Sequence, residues 1–323
     1  VTDSRAVLTL GFGKPIYIQM ASALARSFRY WHRGSRIQFS IATDQPSEIP
    51  KDVREFVEIL AVESEQFGAG FSPKLHLDKL APADQTLFID ADCLVTGPLD
   101  SVFEQFSGRS VSAVGRMISE GDWWGDVDKR CKKMGIDEVP LLVGCVYYLE
   151  DDSTATRVYE TARSLEDRYD ELGLIPLRGS PNEEPLVSLG MALHGQRPIP
   201  DDGRIKADAM SYPSGIEIDV FQGRTLFKDY TDQENLTGTL REAQPVIAHF
   251  NDAHAEEPPY THEAARLQKV QEDEWPLWAA GMYATIRHTI PHRCLETTKN
   301  VLRPLYRSVF GTRSVKKNPR VSR

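Results

Sequence analysis

Between residues 6 and 95, short apolar runs of strand character alternate with stretches whose apolar residues recur at helical spacing. The run Ala6-Val7-Leu8-Thr9-Leu10 reads as a first strand over 7–10, and Gly11-Phe12-Gly13-Lys14-Pro15 as the turn that ends it. Over 17–31, Met20, Leu24, Ser27 and Phe28 fall on or near one face, which predicts a helix. Strands are predicted at 37–43 and 57–62, then a helix over 71–80 with Pro73 in its first turn. The next apolar run, Thr86-Leu87-Phe88-Ile89, stops abruptly at Asp90-Ala91-Asp92. Alternating strands and helices predict an α/β fold with a mostly parallel, doubly wound sheet. In such sheets ligands sit beyond the carboxyl ends of the strands, where Gly11, Lys14, Asp90 and Asp92 all fall.

The second half is less regular. Strands are predicted at 111–114, 141–149 and 247–250, and helices at 152–172, 183–193 and, at least once, within 261–289. The charged stretch 119–139 contains Trp123-Trp124 and reads as a helix-bearing insertion over the site. Trp123 and Trp124 are the tryptophans placed to offer a ligand-stacking platform, against the commoner role of tryptophan in a core. The expected organisation is an α/β domain over 1–260, which would hold the ligand site, and a helical extension over 261–323.

The two carboxylates of Asp90-Ala91-Asp92 bring in the first chemistry. In an extended backbone they would share one face, with Ala91 turned away. Two hard oxygen ligands on a rigid edge suit Mn²⁺ or Mg²⁺ carrying a diphosphate. A bare D-x-D is common by chance, so its neighbours have to carry the reading. Cys93, Cys131, Cys145 and Cys294 are widely spaced with no C-x-x-C pair, which argues against a disulfide framework or a zinc site and for a reducing compartment. The N-terminus enters its first strand without a signal-peptide pattern, and no apolar run has the length of a membrane span, so a cytoplasmic protein is expected.

Charge is distributed unevenly. Residues 287–323 carry ten Lys and Arg against Glu296 alone, a net charge of +9, which leaves −18 on residues 1–286 out of the total of −9. So acidic a body argues against nucleic acid as a partner. The basic tail also holds Ile290, Leu295, Val301, Leu302, Leu305, Tyr306, Val309 and Phe310. Apolar and basic faces on a helix would suit peripheral contact with an anionic membrane, here the inner face; packing on the acidic body is the other reading. Pro291 and Pro304 predict that the stretch is broken into short helices.

Several separate pieces, taken in order, resemble the glycogenin-like and lipopolysaccharide-galactosyltransferase-like glycosyltransferases, which have the GT-A fold. Thr9-Leu10-Gly11 with Tyr17 resembles the family's first strand and its nucleotide-contacting aromatic. Lys74-Leu75-His76 is similar to the helix start that supplies a donor-contacting lysine. Asp90-Ala91-Asp92 with Leu94-Val95 and Pro98-Leu99-Asp100-Ser101-Val102-Phe103 is the closest match, and Ala248-His249-Phe250-Asn251 resembles a late element whose histidine is a metal ligand. The resemblance implies a metal set of Asp90, Asp92 and His249, with Asp90 alternatively on the ribose or acting through water. It implies a nucleotide-sugar donor, UDP-sugar above all, and a glycan, glycolipid or glycoprotein acceptor, with retention of anomeric configuration. Donor-binding candidates are Thr9, Leu10, Gly11, Tyr17, Lys74, Asp90 and Ala91. Glu183 is the candidate for the carboxylate near the reacting carbon, and Glu184 its competitor.

The chain departs from the family in three places, one being Glu183-Glu184-Pro185-Leu186, a weaker match to the family's acidic residue in an Asp-Gln pair. Val143-Gly144-Cys145-Val146 stands where the family has Asn-x-Gly. The segment after His249 lacks the lysine of Gly-x-x-Lys-Pro-Trp, leaving His254 or another group to clamp phosphate. Two other functions are open at this stage: a non-catalytic sugar-nucleotide or glycan binder, and a nucleotidyltransferase. Against the latter, 11–15 is too short for a triphosphate loop.

Overall fold

In this computed structural model residues 4–68, 70–212, 215–228 and 242–311 are described. The chain begins with β1 (Arg5–Gly11), α1 (Pro15–Trp31), β2 (Gln38–Thr43), α2 (Lys51–Arg54) and β3 (Glu58–Ala61). It continues through α3 (Leu77–Leu80), β4 (Gln85–Ile89), β5 (Cys93–Val95), α4 (Asp100–Phe106), β6 (Val111–Ile118), α5 (Val127–Met134) and β7 (Val139–Glu150). Next come α6 (Ser153–Glu166), α7 (Glu183–Leu193), β8 (Lys206–Asp208), β9 (Gly215–Asp219), β10 (Arg224–Lys228) and β11 (Ile247–His249). The last helices are α8 (Tyr260–Gln271), α9 (Leu277–Ala284) and α10 (Ile290–Phe310).

Among the described residues the main sheet has six strands in the order β3-β2-β1-β4-β7-β6. β3, β2, β1 and β4 are parallel, whereas β7 runs antiparallel to both β4 and β6. The sheet is thus mixed, as a predominantly parallel α/β sheet with an antiparallel margin. Period-2 alternation separates its two faces: Val7, Leu87 and Ile89 pack with α1 and α4, while Leu8 and Phe88 pack with α3, α6 and α7. The chain leaves β1 toward β2 and β3, then returns to place β4 on the other side of β1. The carboxyl ends of β1 and β4 therefore flank a topological switch point, the expected place for a ligand.

A second sheet, β5-β11-β8, was not expected. Each strand has three residues, too few to show a period, and all nine residues are buried. β5 is tied to α1 by Ser27, whose hydroxyl accepts the Val95 amide at 2.9 Å. This explains a serine on an otherwise apolar helix face.

Several boundaries differ from the expectation. The 71–80 helix is a 3₁₀ stretch, Ser72–His76, followed by the single turn α3. The helix predicted over 152–172 ends at Glu166, and Asp152 is its N-cap, accepting from Thr154 N and Ala155 N at 2.8 and 2.7 Å. Trp123 is 4% exposed and lies in the core, so it offers no stacking platform.

The chain divides into two compact units, Val1–Asn251 and Asp252–Arg323. In the second, α10 is continuous over Ile290–Phe310 rather than broken. Pro291 follows a π-helical turn, Thr285–Thr289, through which α9 runs on into α10, and Pro304 is accommodated inside the helix. None of its residues is buried. Among the described residues no helix is long and apolar enough to cross a membrane. Arg313, Lys316, Lys317, Arg320 and Arg323 lie outside the described residues.

Candidate active site

Asp90 follows β4 directly, its amide donating to Cys145 O at 2.9 Å across to β7. The chain then turns: Cys93 N donates to Asp90 O at 3.1 Å, and residues 91 and 92 carry the chain from the large sheet to β5 of the small one. The two aspartates do not share a strand face, as an extended backbone would require, because the turn separates them. Asp90 Oδ2 accepts from Lys74 Nζ at 2.8 Å, whereas Asp92 Oδ1 lies 3.3 Å from His249 Nε2.

The small sheet makes the second meeting possible. His249 is in register with Cys93 on β5 and with Asp208 on β8. Phe250 N also donates to Asp92 O at 3.0 Å, anchoring the turn to the end of β11. His249 Nδ1 donates to Asp208 Oδ1 at 2.6 Å, which leaves Nε2 for the Asp92 side. Burial alone would depress the His249 pKa, but the Asp92 carboxylate and the hydrogen bond to Asp208 hold it well above the ordinary histidine value. Burial would raise Asp208; the Lys206 ammonium and His249 hold it below the usual carboxylate range.

The ligand atoms of Asp92, Cys93 and His249 lie within 4.8 Å of one another. An oxygen and an imidazole nitrogen, the latter backed by a carboxylate on its other nitrogen, form a donor set that fits a divalent ion such as Mn²⁺. Cys93 is a poor third ligand, because burial pushes its thiol well above the ordinary value. Asp90 belongs to neither of the clusters of metal-ligating side chains found among the described residues.

Lys74 joins Asp90 to α7. Its ammonium is 2.8 Å from Asp90 Oδ2, 3.1 Å from Glu183 Oε1 and 3.1 Å from Gly144 O. Burial opposes the charge on Lys74, yet Asp90 and Glu183 keep it above its ordinary range. Burial pushes the Glu183 carboxyl up to about 7; Lys74 opposes the rise, and Glu184 and Asp90 add to it. Glu183 Oε2 is buried with no hydrogen-bond partner, as are Thr9 Oγ1 on β1 and the Tyr147 hydroxyl. Gly144 is required by this packing: a Cβ there would stand 2.7 Å from Glu183 Oε1 and 2.8 Å from the Tyr147 hydroxyl.

Glu183 and Glu184, adjacent in the first turn of α7, have different surroundings. Glu184 Oε1 accepts from Gly144 N at 2.8 Å, and Oε2 from Trp124 Nε1 at 2.8 Å and Asn182 Nδ2 at 3.3 Å. Glu184 therefore secures the insertion and β7 to α7, leaving Glu183 as the carboxylate with an unused oxygen. Trp124 is fixed by this bond and by its own carbonyl, which accepts from the buried Arg130 at 3.2 Å.

Gly11 ends β1 and its carbonyl accepts from Thr43 Oγ1 at 2.7 Å. The following turn is held by Asp44, which accepts from Gly13 N at 3.1 Å, and by Gln45, which donates to Gly13 O at 2.8 Å. Leu10 is half-buried and Ala91 half-exposed to solvent in the aspartate turn, while Tyr17, 40% exposed, projects from the first turn of α1. His254 belongs to the second unit, in the turn Asp252–Glu256, where burial lowers its pKa. The residues not foreseen are Asp208, Lys206, Asp44 and Trp124. Only the Lys206-Ala207-Asp208 alternation carried a signal, placing opposite charges on one face of an extended segment.

The mixed sheet, its switch point and the auxiliary sheet behind the aspartate turn constitute a GT-A-like α/β fold. Among solved structures the chain is similar to the galactosyltransferase LgtC in complex with donor and acceptor sugar analogs. That match has a TM-score of 0.52 and 12% identity, covering 83% of this chain and 95% of the other. It is also similar to the bifunctional glycosyltransferase WbbM in its apo structure, with a TM-score of 0.51 and 10% identity over 87% of this chain and 52% of the other. At these identities the likeness shows the fold. No protein-family model and no curated protein sequence matches the chain.

Proposed function

We propose that the chain is a metal-dependent glycosyltransferase that moves a sugar from a nucleotide-sugar donor, a UDP-sugar, to a saccharide, glycolipid or glycoprotein acceptor. The observation that carries this reading is the 3.3 Å approach of Asp92 to a His249 already oriented by a buried carboxylate, at the switch point of a GT-A-like sheet. Asp92 and His249 would hold Mn²⁺ or Mg²⁺, which when bound supplies charge neutralisation for a diphosphate leaving group. Thr9, Leu10, Gly11 and Tyr17 are assigned to the nucleotide side, with Thr9 Oγ1 offering an unused polar atom. Lys74 stands between Asp90 and Glu183 as a partly buried cation that orients both carboxylates. Glu183 is assigned to the donor-sugar side, where its unpaired oxygen can accept a sugar hydroxyl or face a developing positive carbon. Retention of configuration follows the family resemblance.

Calorimetric titration of UDP and GDP, with Mn²⁺ and with EDTA, tests this reading. Expected is tight binding of UDP with Mn²⁺ that disappears with EDTA; absence of binding of either nucleotide under both conditions would overturn it. Hydrolysis of a UDP-sugar without acceptor separates an enzyme from a non-catalytic binder.

The second unit supports a peripheral position on an anionic membrane surface. Leu295, Leu302, Leu305, Val309 and Phe310 are all at least half exposed on α10, beside Arg293, Lys299, Arg303 and Arg307. Each basic residue near anionic lipid contributes about 1 kcal/mol, in addition to burial of the apolar side chains. The chain should co-sediment with phosphatidylserine-containing vesicles, and Leu302→Glu with Leu305→Glu should reduce the bound fraction about tenfold or more. Equal binding to neutral vesicles would exclude the electrostatic part.

A further inference from the structure

We propose that Asp208 is a positioning residue for the metal site, and that Lys206 is its built-in counter-ion. The proposal rests on the reading of Asp92 and His249 as ion-binding residues. Together the pair fixes the tautomer and ring plane in which His249 presents Nε2 toward Asp92.

Backbone register comes first. β8 runs parallel to β11 and places Asp208 directly beside His249. Side chains in register on neighbouring strands share a face, so the carboxylate and the imidazole meet with little freedom. The contact is 2.6 Å between His249 Nδ1 and Asp208 Oδ1, with both side chains under 9% exposed. Because an ionised carboxylate can only accept, the proton on that bond belongs to Nδ1, and Nε2 is the nitrogen left for a ligand.

The rest of Asp208 is equally committed. Oδ1 also lies 3.6 Å from Cys145 Sγ, a thiol donor, and Oδ2 accepts from Lys206 Nζ at 2.5 Å. Lys206 is 1% exposed. A buried ion pair of this kind is a weak source of stability, since an apolar pair of similar volume serves as well or better. What an apolar pair lacks is an acceptor for Nδ1–H. Maintaining an anionic acceptor there requires a buried cation beside it, and Lys206, two residues along the same strand face, supplies it.

Cys145, Asp208 and His249 are also close enough together to suggest a second ion site. The structure argues otherwise, because Nδ1 is already bonded to Asp208 and the ammonium of Lys206 already provides the positive charge. The cluster therefore reads as support for the Asp92–His249 site.

The test is Mn²⁺ titration of the full chain in the presence of UDP, followed by electron paramagnetic resonance, with ¹⁴N coupling from the imidazole as the spectroscopic signature. Wild type should show that coupling and His249→Ala should lack it. Asp208→Ala should bind Mn²⁺ about 10- to 100-fold more weakly with diminished ¹⁴N coupling, the usual range for loss of a partner behind a metal-bound histidine. Asp208→Asn, which retains an acceptor oxygen, should recover part of both. Lys206→Met combined with Asp208→Leu removes both charges and guards against misfolding from an unpaired lysine; it should show the same weakening with an unchanged melting profile. Wild-type affinity and coupling in the Asp208 variants would overturn the positioning role while leaving the ion site standing. No Mn²⁺ binding by wild type, or coupling that persists in His249→Ala, would overturn the ion site itself and this proposal with it.

Discussion

Replacing Asp92 by alanine is expected to abolish Mn²⁺-dependent UDP binding and to lower sugar release from a UDP-sugar about 10³-fold or more. The magnitude corresponds to several kcal/mol of charge stabilisation lost with the ion, at about 1.4 kcal/mol per factor of ten. The melting temperature should move little, because Asp92 is partly exposed and His249 keeps its bond to Asp208. Asp90→Ala should behave differently. Its carboxylate is paired with Lys74, so the loss should fall on both stability and rate. Initial rates with and without EDTA, together with thermal melts of both variants, check this. An Asp92→Ala enzyme that retains an EDTA-sensitive wild-type rate would remove Asp92 from the metal set.

The contrast between the two aspartates shows what sequence patterns could and could not reveal. Elements long enough to express a period were legible: β1, α1 and β4 fell where the apolar spacing put them, and α7 begins at Glu183 as expected. The motif Asp90-Ala91-Asp92 was conspicuous as a pair of carboxylates at a strand end, but its geometry was not legible. Strand alternation presumed an extended backbone, whereas the chain turns there to enter a second sheet. That sheet was hidden because three-residue strands have no periodicity, and because β11 pairs with β8 across 41 residues and with β5 across more than a hundred. Lys206 and Asp208 lie in a stretch for which no element was predicted; only tertiary pairing shows both buried, with Asp208 against His249. Trp123-Trp124 was ambiguous for the opposite reason. Both residues were conspicuous, and the fold assigned one to the core and the other to a hydrogen bond with Glu184. The different surroundings of Glu183 and Glu184 were likewise not legible, since adjacent acids in a first helical turn are equally favoured by the helix dipole.

Lys74→Met should be the most destabilising single change at the site, and its effect should depend on pH in a defined direction. Lys74 is the cation common to Asp90 and Glu183, and its removal leaves the buried Glu183 and the partly buried Asp90 without a counter-charge. Breaking a buried pair in this way costs about 3–5 kcal/mol, which for a unit of this size corresponds to a fall of roughly 10 °C in melting temperature. The Glu183 pKa is already raised to about 7 with Lys74 present, and losing the ammonium raises it further. A carboxyl whose folded pKa lies above its unfolded value favours folding fully below the unfolded value, and that contribution is lost as pH rises through the folded one. The deficit of Lys74→Met relative to wild type should therefore be largest at pH 8 and shrink as pH falls toward 5, where Glu183 becomes neutral. Adding Glu183→Gln should remove most of this pH dependence, leaving Asp90 as the remaining uncompensated acid. Melts of the three proteins across pH 5–8 decide the matter: a deficit that stayed constant, or grew toward pH 5, would show that Lys74 does not compensate Glu183.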